Sequence, residues 1–354
     1  MTTIQDTDHS PLSYSHEFDS SFCSISPTEE LNQQIIHHEL QTPLTSIQGA
    51  LRILHSGRFG SFSQTGQRLL DIALKNTRRL VRLTQAIENQ STDSITCLSA
   101  ENLSRLRLEN ELETALLRQE LQLYYQPIVA FETQEIIGFE ALTRWHHPQR
   151  GWISPNEFIP IAEATGLIDS LGLWVLEQAC RQMVIWQQQF PKASALTMSV
   201  NLSTLQLSNS DLPQQIERIL HQTQLAPQNL RLEITESAFL DHSPTALKRL
   251  QTLKAMGILL YIDDFGTGYS SLSRLQHWPI DVIKIDNTFV RSQQWTMIRA
   301  IMLLAESLKV NVIVEGIETP EDLETLQQLG CQQGQGYLFS KPLPADVMSR
   351  QLAG

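Results

Sequence analysis

From residue 104 onward, short apolar runs alternate with amphipathic stretches. The amphipathic stretches repeat apolar positions at helical spacing over 171–188, 212–224, 244–256 and 295–309. The strand-like apolar runs are GFEAL, TMSVNLS, LRLEITES, LLYIDDFG, VIKID, VIVEGIE and GYLF. Strands that alternate with helices indicate βαβ units and a parallel sheet. A domain over 104–352 is close to the size of a closed (β/α)8 barrel, about 250 residues, so an α/β barrel is the predicted fold class.

The segment 31–90 carries a separate helical pattern. A first series of apolar residues, spaced by three and four, comprises Leu40, Leu44, Ile47, Leu51 and Leu54. After the glycine-containing run GRFGSFS at 57–63, a second series comprises Leu69, Ile72, Ala73, Leu80, Leu83 and Ile87. This pattern predicts a helical hairpin. Because one hairpin is too small to bury its own apolar face, we expect two copies to pair as a four-helix bundle in a homodimer.

Two polar segments flank the predicted hairpin. Residues 1–30 are rich in Ser, Thr, Asp and Glu and contain no Lys or Arg, which predicts a disordered acidic tail. Residues 91–103 form a polar linker, and a helix is predicted over 103–121.

The overall charge narrows the possible partners. The chain has 26 Lys+Arg against 38 Asp+Glu, a net charge of −12. This balance argues against a general nucleic-acid binder or a protein of anionic membrane surfaces, which favour basic patches. The four cysteines are widely scattered and no apolar run reaches the length of a membrane span. We therefore expect a cytoplasmic protein without a disulfide framework or a zinc site.

Each strand-like run ends in, or is followed by, a polar residue that a buried strand would otherwise avoid. The series is Glu140, Asn201, Glu233, Asp263 with Asp264, Lys284, Glu315 and Gln335. In a barrel, the carboxyl ends of the parallel strands meet at one mouth, where active sites form. We therefore expect these side chains to lie together.

So much negative charge repels itself unless cations occupy it. Carboxylate and amide oxygens suit Mg²⁺ or Mn²⁺, and the lack of a His/Cys cluster speaks against zinc. The alternative is that each acid is only a helix cap or a surface ion pair. For Lys284, the corresponding alternative is a salt bridge to Asp286, since residues two apart in a strand share a face.

The letters around these positions resemble those of a known family. Glu140-Ala141-Leu142, followed by Thr143-Arg144-Trp145, resembles the signature of EAL domains, the phosphodiesterases of cyclic di-GMP. The other matching motifs are Asn201-Leu-Ser, Glu233-Ile-Thr-Glu236, Asp263-Asp264-Phe-Gly-Thr-Gly, Lys284-Ile-Asp286, Glu315-Gly-Ile-Glu318 and Gln335-Gly-Tyr-Leu-Phe. The resemblance covers about residues 104–352 and implies a (β/α)8 barrel that hydrolyses cyclic di-GMP to linear pGpG.

The resemblance also implies two metal ions, Mg²⁺ or Mn²⁺, in the site. The implied ligands of one ion are Glu140, Asn201, Glu233 and Asp263. Asp263 is implied to bridge to the second ion, helped by Asp264 and Glu315. Two such ions would stabilise the attacking and leaving oxygens of a phosphodiester together.

Five further residues receive roles from the resemblance. Lys284 is implied to orient or deprotonate the attacking water, with Gln335 beside that water. Arg144 is implied to contact the substrate phosphate. Glu236 is implied to anchor the loop after Asp264, and Glu318 is a supporting or substrate-contacting acid.

Residues 37–44, HHELQTPL, resemble the H-box of histidine kinase dimerisation domains, with Gln41 in place of the usual arginine. His38 matches the phospho-accepting histidine, Glu39 the neighbouring base, and Thr42 a residue that positions water. No ATP-binding domain follows, so autophosphorylation is not expected. Either the hairpin is a dimerisation element, or His38 accepts phosphate from a partner kinase or response regulator.

Three functions follow from these observations. The first is hydrolysis of cyclic di-GMP, regulated through the hairpin. The second is a receptor that binds cyclic di-GMP without cleaving it. The third is a phosphorelay protein in which the barrel is passive. The intact series of polar residues favours hydrolysis.

Overall fold

The computed structural model describes residues 100–353, apart from 191–194, 237–243, 268–274 and 276–277, and a set of separate positions between 44 and 77. The chain divides into two compact units, Met1–Leu103 and Ser104–Gly354. Within the described part of the chain, no helix has the length and apolar character needed to cross a membrane.

The described positions between 44 and 77 in the first unit are helical. Leu70 and Thr77 are buried, whereas the side chains of Ile47 and Leu54 are 49% and 37% exposed. The described residues thus include two exposed members of the predicted first apolar series. His38, Glu39 and Thr42 lie outside the described residues, as do Leu40, Leu69, Ile72, Leu80, Leu83 and Ile87 of the two series.

The second unit consists of strands that alternate with helices. Its strands are β1 (Leu121–Ala130), β2 (Ile136–His147), β3 (Gly151–Ile153), β4 (Thr197–Asn201), β5 (Leu230–Thr235), β6 (Leu259–Phe265), β7 (Val282–Ile285), β8 (Asn311–Val314), β9 (Gln333–Gly334) and β10 (Leu343–Pro344). The helices, of which the first begins at the end of the first unit, are α1 (Ala100–Ala115), α2 (Pro155–Thr165), α3 (Ile168–Gln189), α4 (Leu212–Thr223), α5 (Pro244–Ala255), α6 (Asn287–Arg291), α7 (Trp295–Leu308), α8 (Pro320–Gln328) and α9 (Ala345–Ala353).

The sheet closes into a barrel. β2 and β4 to β9 are successive parallel neighbours, and β1 pairs antiparallel with both β2 and β9. β3 and β10 extend the sheet outside this closed ring, on β2 and β1 respectively. The predicted (β/α)8 class is therefore confirmed.

Capping residues fix the ends of α2 and the start of α8. The Ser154 side chain accepts a hydrogen bond from Asn156 N, Pro155 starts α2, and Gly166 ends it in the left-handed region. Thr319 and Asp322 form a reciprocal capping box at the start of α8. These caps allow helices to begin directly after strands.

Three sequence-based expectations about elements are wrong. The sheet is not wholly parallel, because a turn too short for a crossover helix joins β1 to β2 and makes them an antiparallel hairpin. The first helix ends at Ala115 rather than 121, since β1 begins at Leu121. GYLF is a turn and not a strand, because Phe339 N and Ser340 N both donate to Gly336 O within it.

Apolar side chains fill two regions of the barrel unit. The larger core lies between the sheet and its helices, where Phe139 of β2 and Tyr125 of β1 both pack against Trp186 of α3, with ring centroids 4.7 and 4.9 Å away. A separate cluster comprises Ile128, Tyr261, Val282 and Ile313. These four belong to strands of the closed ring, which indicates that the cluster fills the inside of the barrel.

Candidate active site at the barrel mouth

Lys284 is at the centre of the site. It belongs to β7, whose four residues are all buried, and its side chain is 0% exposed. Its Nζ lies 2.6 Å from Glu233 Oε2, 2.7 Å from Glu315 Oε1, 3.0 Å from Asp263 Oδ1 and 3.3 Å from Glu140 Oε2. A lysine is tolerated inside a buried strand because these four carboxylates surround its charge.

Two amides complete the cluster. Gln335 Nε2 donates to Glu140 Oε2 at 2.7 Å and to Glu315 Oε1 at 2.9 Å. Asn201 Nδ2 donates to Glu140 Oε1 at 2.9 Å. Both oxygens of Glu140 are thereby held, so the carboxylate has a fixed orientation.

The sheet register explains why these residues meet. Asn201 pairs with Glu233 across β4 and β5, and Thr235 pairs with Asp263 across β5 and β6. Adjacent residues in register point to the same face of the sheet. The predicted convergence of the strand ends therefore occurs.

Asp263, Asp264 and Glu315 form a second grouping within the site. One ligand oxygen from each lies within 4.8 Å of the other two, which is a spacing that can hold a metal ion. Asp264 has a left-handed backbone with φ of 53°, which is uncommon for a residue with a side chain. Adjacent residues of an extended strand point to opposite faces, so the change of backbone at Asp264 is consistent with both carboxylates lying on the side of Glu315, with Asp263 buried and Asp264 exposed.

The pKa values reflect an excess of negative charge. Burial alone would lower the pKa of Lys284, but the surrounding carboxylates outweigh it and hold that pKa well above its ordinary value. Burial and nearby acids raise the pKa of Glu315 to about 8 and that of Asp264 to about 6. Burial also raises the pKa of Glu233 well above its ordinary value, against the opposing effect of Lys284. One ammonium group thus faces more carboxylates than it neutralises.

Glu140 behaves differently from the other acids. Burial would raise its pKa, but Lys284 and the hydrogen bonds from Gln335 and Asn201 together lower it below the ordinary value. Its charged form is therefore the favoured one in the folded protein.

The donor atoms fit a hard divalent cation. The oxygens come from carboxylates and amides, the types that Mg²⁺ and Mn²⁺ prefer. Glu233 Oε1 and Gln335 Oε1 are buried and have no hydrogen-bond partner within the described part of the chain. Buried oxygens of this kind are normally satisfied, so they add to the case for a cation or ordered water at the cluster.

Lys284 does not use Asp286 as its partner. The Asp286 side chain accepts a hydrogen bond from Thr288 N at 2.9 Å and caps α6. Among the described residues, no ion pair joins Lys284 to Asp286. The alternative of a simple salt bridge along the strand is therefore wrong.

The other predicted residues lie around the cluster. Glu236 Oε2 accepts from Gly266 N at 2.8 Å, next to the start of the loop after Asp264. Arg144 lies above the mouth, half-buried, with its guanidinium carbon 5.9 Å from the Tyr124 ring centroid. Glu318 is not part of the cluster, because its exposed side chain pairs with Arg291 at 3.2 Å.

A cavity of about 840 Å³ opens beside these residues. Arg144, Asn201, Asp263 and Asp264 contribute to its lining. Its other polar residues include Glu163 and Ser203, which are joined by a hydrogen bond of 2.6 Å from Ser203 Oγ to Glu163 Oε1. Sequence reasoning missed Glu163, because it belongs to α2 and does not follow a strand; Ser203 stands within the quoted Asn201-Leu-Ser motif.

Comparison with known proteins agrees with this geometry. Residues 109–342 match the model of the EAL domain family. The chain belongs to the EAL-domain family. Residues 33–92 of this EAL-domain protein match the His Kinase A (phospho-acceptor) domain. Both family resemblances are therefore confirmed.

Three known proteins illustrate the similarity. The oxygen sensor protein DosP of Escherichia coli K12 is 42% identical over 247 residues, which is 68% of this chain and 31% of DosP. The cyclic di-GMP phosphodiesterase NbdA of Pseudomonas aeruginosa is 39% identical over 252 residues, 70% of this chain and 32% of NbdA. The match thus spans about a third of each of these curated relatives.

A solved structure gives the third comparison. The PaMucR phosphodiesterase in complex with c-di-GMP superposes with a TM-score of 0.65 at 41% identity. The superposition covers 68% of this chain and 99% of that one. The similarity therefore extends over nearly the whole of the solved domain.

Proposed function

We propose that the barrel unit hydrolyses cyclic di-GMP to linear pGpG. The observation that carries this proposal is the buried Lys284 among four carboxylates, beside a cavity of about 840 Å³ that reaches Asp263 and Asp264. An anionic diester is repelled by the acidic residues at the mouth unless cations are bound there. The carboxylate and amide oxygens of the site are suitable ligands for such cations. NbdA, a similar protein, is named a cyclic di-GMP phosphodiesterase, and the similar PaMucR domain was solved with c-di-GMP.

We propose that two divalent cations, Mg²⁺ or Mn²⁺, serve the reaction. Asp263, Asp264 and Glu315 would hold one, and Asp263 with Glu140, Asn201 and Glu233 would hold the other. Cations of this type supply charge stabilisation on the phosphate oxygens and activation of a water nucleophile.

The remaining roles fall to groups of the protein itself. The surrounding carboxylates hold the pKa of Lys284 well above its ordinary value, so its ammonium group has no free lone pair to take a proton from water, and we assign Lys284 to orienting the attacking water. Gln335 fixes Glu140 and Glu315 through Nε2 and presents to that water its Oε1, which has no hydrogen-bond partner among the described residues. Arg144 contacts a substrate phosphate from above the mouth.

The proposed reaction is a direct attack of water on phosphorus, without a covalent intermediate on the protein. The water oxygen forms a bond to phosphorus while one ribose oxygen leaves it. The water proton passes to solvent or to the leaving oxygen. The product is therefore the linear dinucleotide with one terminal phosphate.

A single assay tests the proposal. The purified full chain is incubated with cyclic di-GMP and Mg²⁺ or Mn²⁺, with and without a chelator, and pGpG is measured by chromatography. We expect turnover that the chelator stops and that Glu140→Ala reduces below detection. Glu177→Gln is the matched control, because the pair of Glu177 with the exposed Arg181 lies on α3, outside the acidic cluster. Binding without turnover in either metal would instead support the receptor alternative.

We also propose that the protein is a homodimer joined by its hairpin. The proposed organisation is a tail over 1–30, the hairpin over 31–90, a linker over 91–103 and the barrel domain over 104–352. Ile47 and Leu54 support this because both belong to the apolar series yet are exposed in one chain. Analytical ultracentrifugation should show a dimer that Ile47→Glu weakens, and a wild-type monomer at micromolar concentration would contradict the proposal.

His38 as a phosphate acceptor is the alternative use of the hairpin. The match to the phospho-acceptor family supports it, although His38 lies outside the described residues. The test is incubation with labelled phosphoryl donors and partner kinases or response regulators. Acid-labile label that His38→Gln removes would favour the relay, and a wild type that never takes up label would exclude it.

A cytoplasmic location is proposed as well. Cys180 and Cys331 are buried free thiols, as a reducing compartment allows. Burial raises the pKa of the Cys180 thiol to about 12, so it is chemically inert in the folded state. Cell fractionation tests the location, and recovery in an exported fraction would contradict it.

A further inference from the structure

The strand that carries Glu140 continues beyond the mouth of the barrel. Glu140, Leu142, Arg144 and His146 occupy alternate positions of β2, so they share one face of the strand. Arg144 lies four residues after Glu140, about 13 Å along the strand. β1 and β3 pair with this part of β2 and form a three-stranded flap with it. A substrate held at Glu140 therefore has a wall of protein along one side.

Trp152 is exposed on this flap. It pairs with His146 across β2 and β3 and is 55% exposed. By contrast, Trp145 and Trp186 are 0% exposed, and the other three tryptophans are partly buried. Trp152 is therefore the single exposed tryptophan of the six in the chain, all of which the structure describes.

Two neighbouring rings hold the Trp152 indole. The Tyr124 ring lies 5.7 Å away at an interplanar angle of 79°, and the His146 ring lies 4.8 Å away at 69°. Edge-to-face contacts of this kind favour one ring orientation. The exposed indole thus has a preferred orientation although it faces solvent.

A cavity of about 440 Å³ lies directly against this indole. It is lined by Tyr124, Arg144, Trp152, Ile153, Ser154 and Pro155. Arg144 and Pro155 also line the larger cavity of about 840 Å³ that reaches the acidic cluster. The two cavities are therefore neighbours, separated by the arginine proposed to contact phosphate.

We propose that this second cavity takes the purine base of the nucleotide half remote from the acidic cluster, with Trp152 as the stacking surface. The inference rests on the proposed function, since it assumes that the scissile phosphate sits at the cluster. Every nucleobase has a π face that stacks on aromatic side chains without regard to sequence. Arg144 then contacts phosphate between the two bases, and Trp152 adds affinity rather than chemistry.

A merely structural role explains Trp152 less well. Single exposed apolar residues are normal on protein surfaces, and Leu117 at 85% exposed is an example. Trp152, in contrast, lines a cavity and is oriented by two rings. A tryptophan exposed in this way also contributes little to the core, so replacing it should leave the fold intact.

The test compares Trp152→Ala, Trp152→Phe and the control Leu117→Ala in steady-state hydrolysis of cyclic di-GMP. Loss of one stacked base weakens binding by about 5- to 150-fold, so Trp152→Ala should raise KM by a factor in that range and leave kcat within about two-fold. Trp152→Phe keeps an aromatic face and should stay near the wild-type KM. Leu117→Ala should change neither constant.

Tryptophan fluorescence gives an independent readout. Cyclic di-GMP should quench the wild-type emission, and Trp152→Phe should lose most of that quenching while it keeps affinity. If the wild type hydrolyses cyclic di-GMP and Trp152→Ala has an unchanged KM, the stacking inference is overturned. If the wild type shows Trp152-dependent quenching but no turnover, stacking stands and the proposed hydrolysis fails.

Discussion

The inside of the barrel contains two layers of side chains, and three of its strands contribute to both layers. The lower layer is the apolar cluster of Ile128, Tyr261, Val282 and Ile313. The upper layer is the ionic cluster of Lys284 with Asp263, Glu315, Glu140 and Glu233. On β6, β7 and at the end of β8, the two layers are only two residues apart: Tyr261 and Asp263, Val282 and Lys284, Ile313 and Glu315.

This comparison shows how one step along a strand changes the chemistry of a site. Residues two apart share a face, so each apolar side chain supports a charged one directly above it. The lower layer removes water from below the charges, which strengthens their attraction and also raises the cost of leaving any of them unpaired. The ionic layer is therefore expected to be sensitive to charge, and the apolar layer to volume.

Lys284→Met should give the largest effect. It leaves four carboxylates without their cation, and breaking a buried ion pair costs about 3–5 kcal/mol. We expect that loss in the free energy of unfolding measured in urea with a chelator present, together with loss of hydrolysis. Lys254→Met is the control, because Lys254 pairs with Asp281 in a partly exposed position, where a pair is worth about 0–1 kcal/mol. Equal losses in the two variants would mean that the upper layer is hydrated.

Ile313→Ala should separate stability from activity. Removing a buried isoleucine costs about 2–5 kcal/mol through lost burial and the cavity left behind. Ile313 is 1% exposed and lies in the lower layer, away from the substrate cavity. We therefore expect a lower free energy of unfolding with kcat within about two-fold at a temperature where the variant is folded. A large fall in kcat would show that the lower layer also sets the positions of the charges.

Gly266→Ala should lower the free energy of unfolding by a smaller amount. It should also disturb the ionic cluster, because Gly266 follows Asp263 and Asp264 closely in the chain. Gly266 has a φ of 96°, and an added Cβ would lie 2.7 Å from Phe289 Cζ. The strain costs about 1–3 kcal/mol, and movement of the loop should lower kcat/KM, measured in the same assay. Gly166→Ala is a close control, because Gly166 has a φ of 77° but nothing within 4 Å of an added Cβ. Gly166→Ala should lose about 1–2 kcal/mol and keep its activity.

Much of the barrel was predictable from the sequence. Alternating strands and helices indicate the fold class, and the polar residues after successive strands indicate the mouth, because parallel strands present their carboxyl ends together. β1 and the turn at GYLF were not predictable in this way. β1 mixes polar and apolar residues. GYLF forms a turn through hydrogen bonds to Gly336 O instead of a strand ladder, and Tyr337 within it is exposed.

The sequence by itself determined which residues follow the strands and so meet at the mouth, and it predicted that their charges attract cations. It did not decide which of these residues form ion pairs with one another. Asp286 is only two residues from Lys284 in the chain, yet Asp286 caps α6, whereas Lys284 pairs with four acids that come from other strands or follow them. It also gave no sign that Glu318 lies apart from the cluster or that Trp152 stands beside Arg144. Those relations join residues that are far apart in the chain or lie on different paired strands, so they exist only once the sheet forms and fixes the register of its strands.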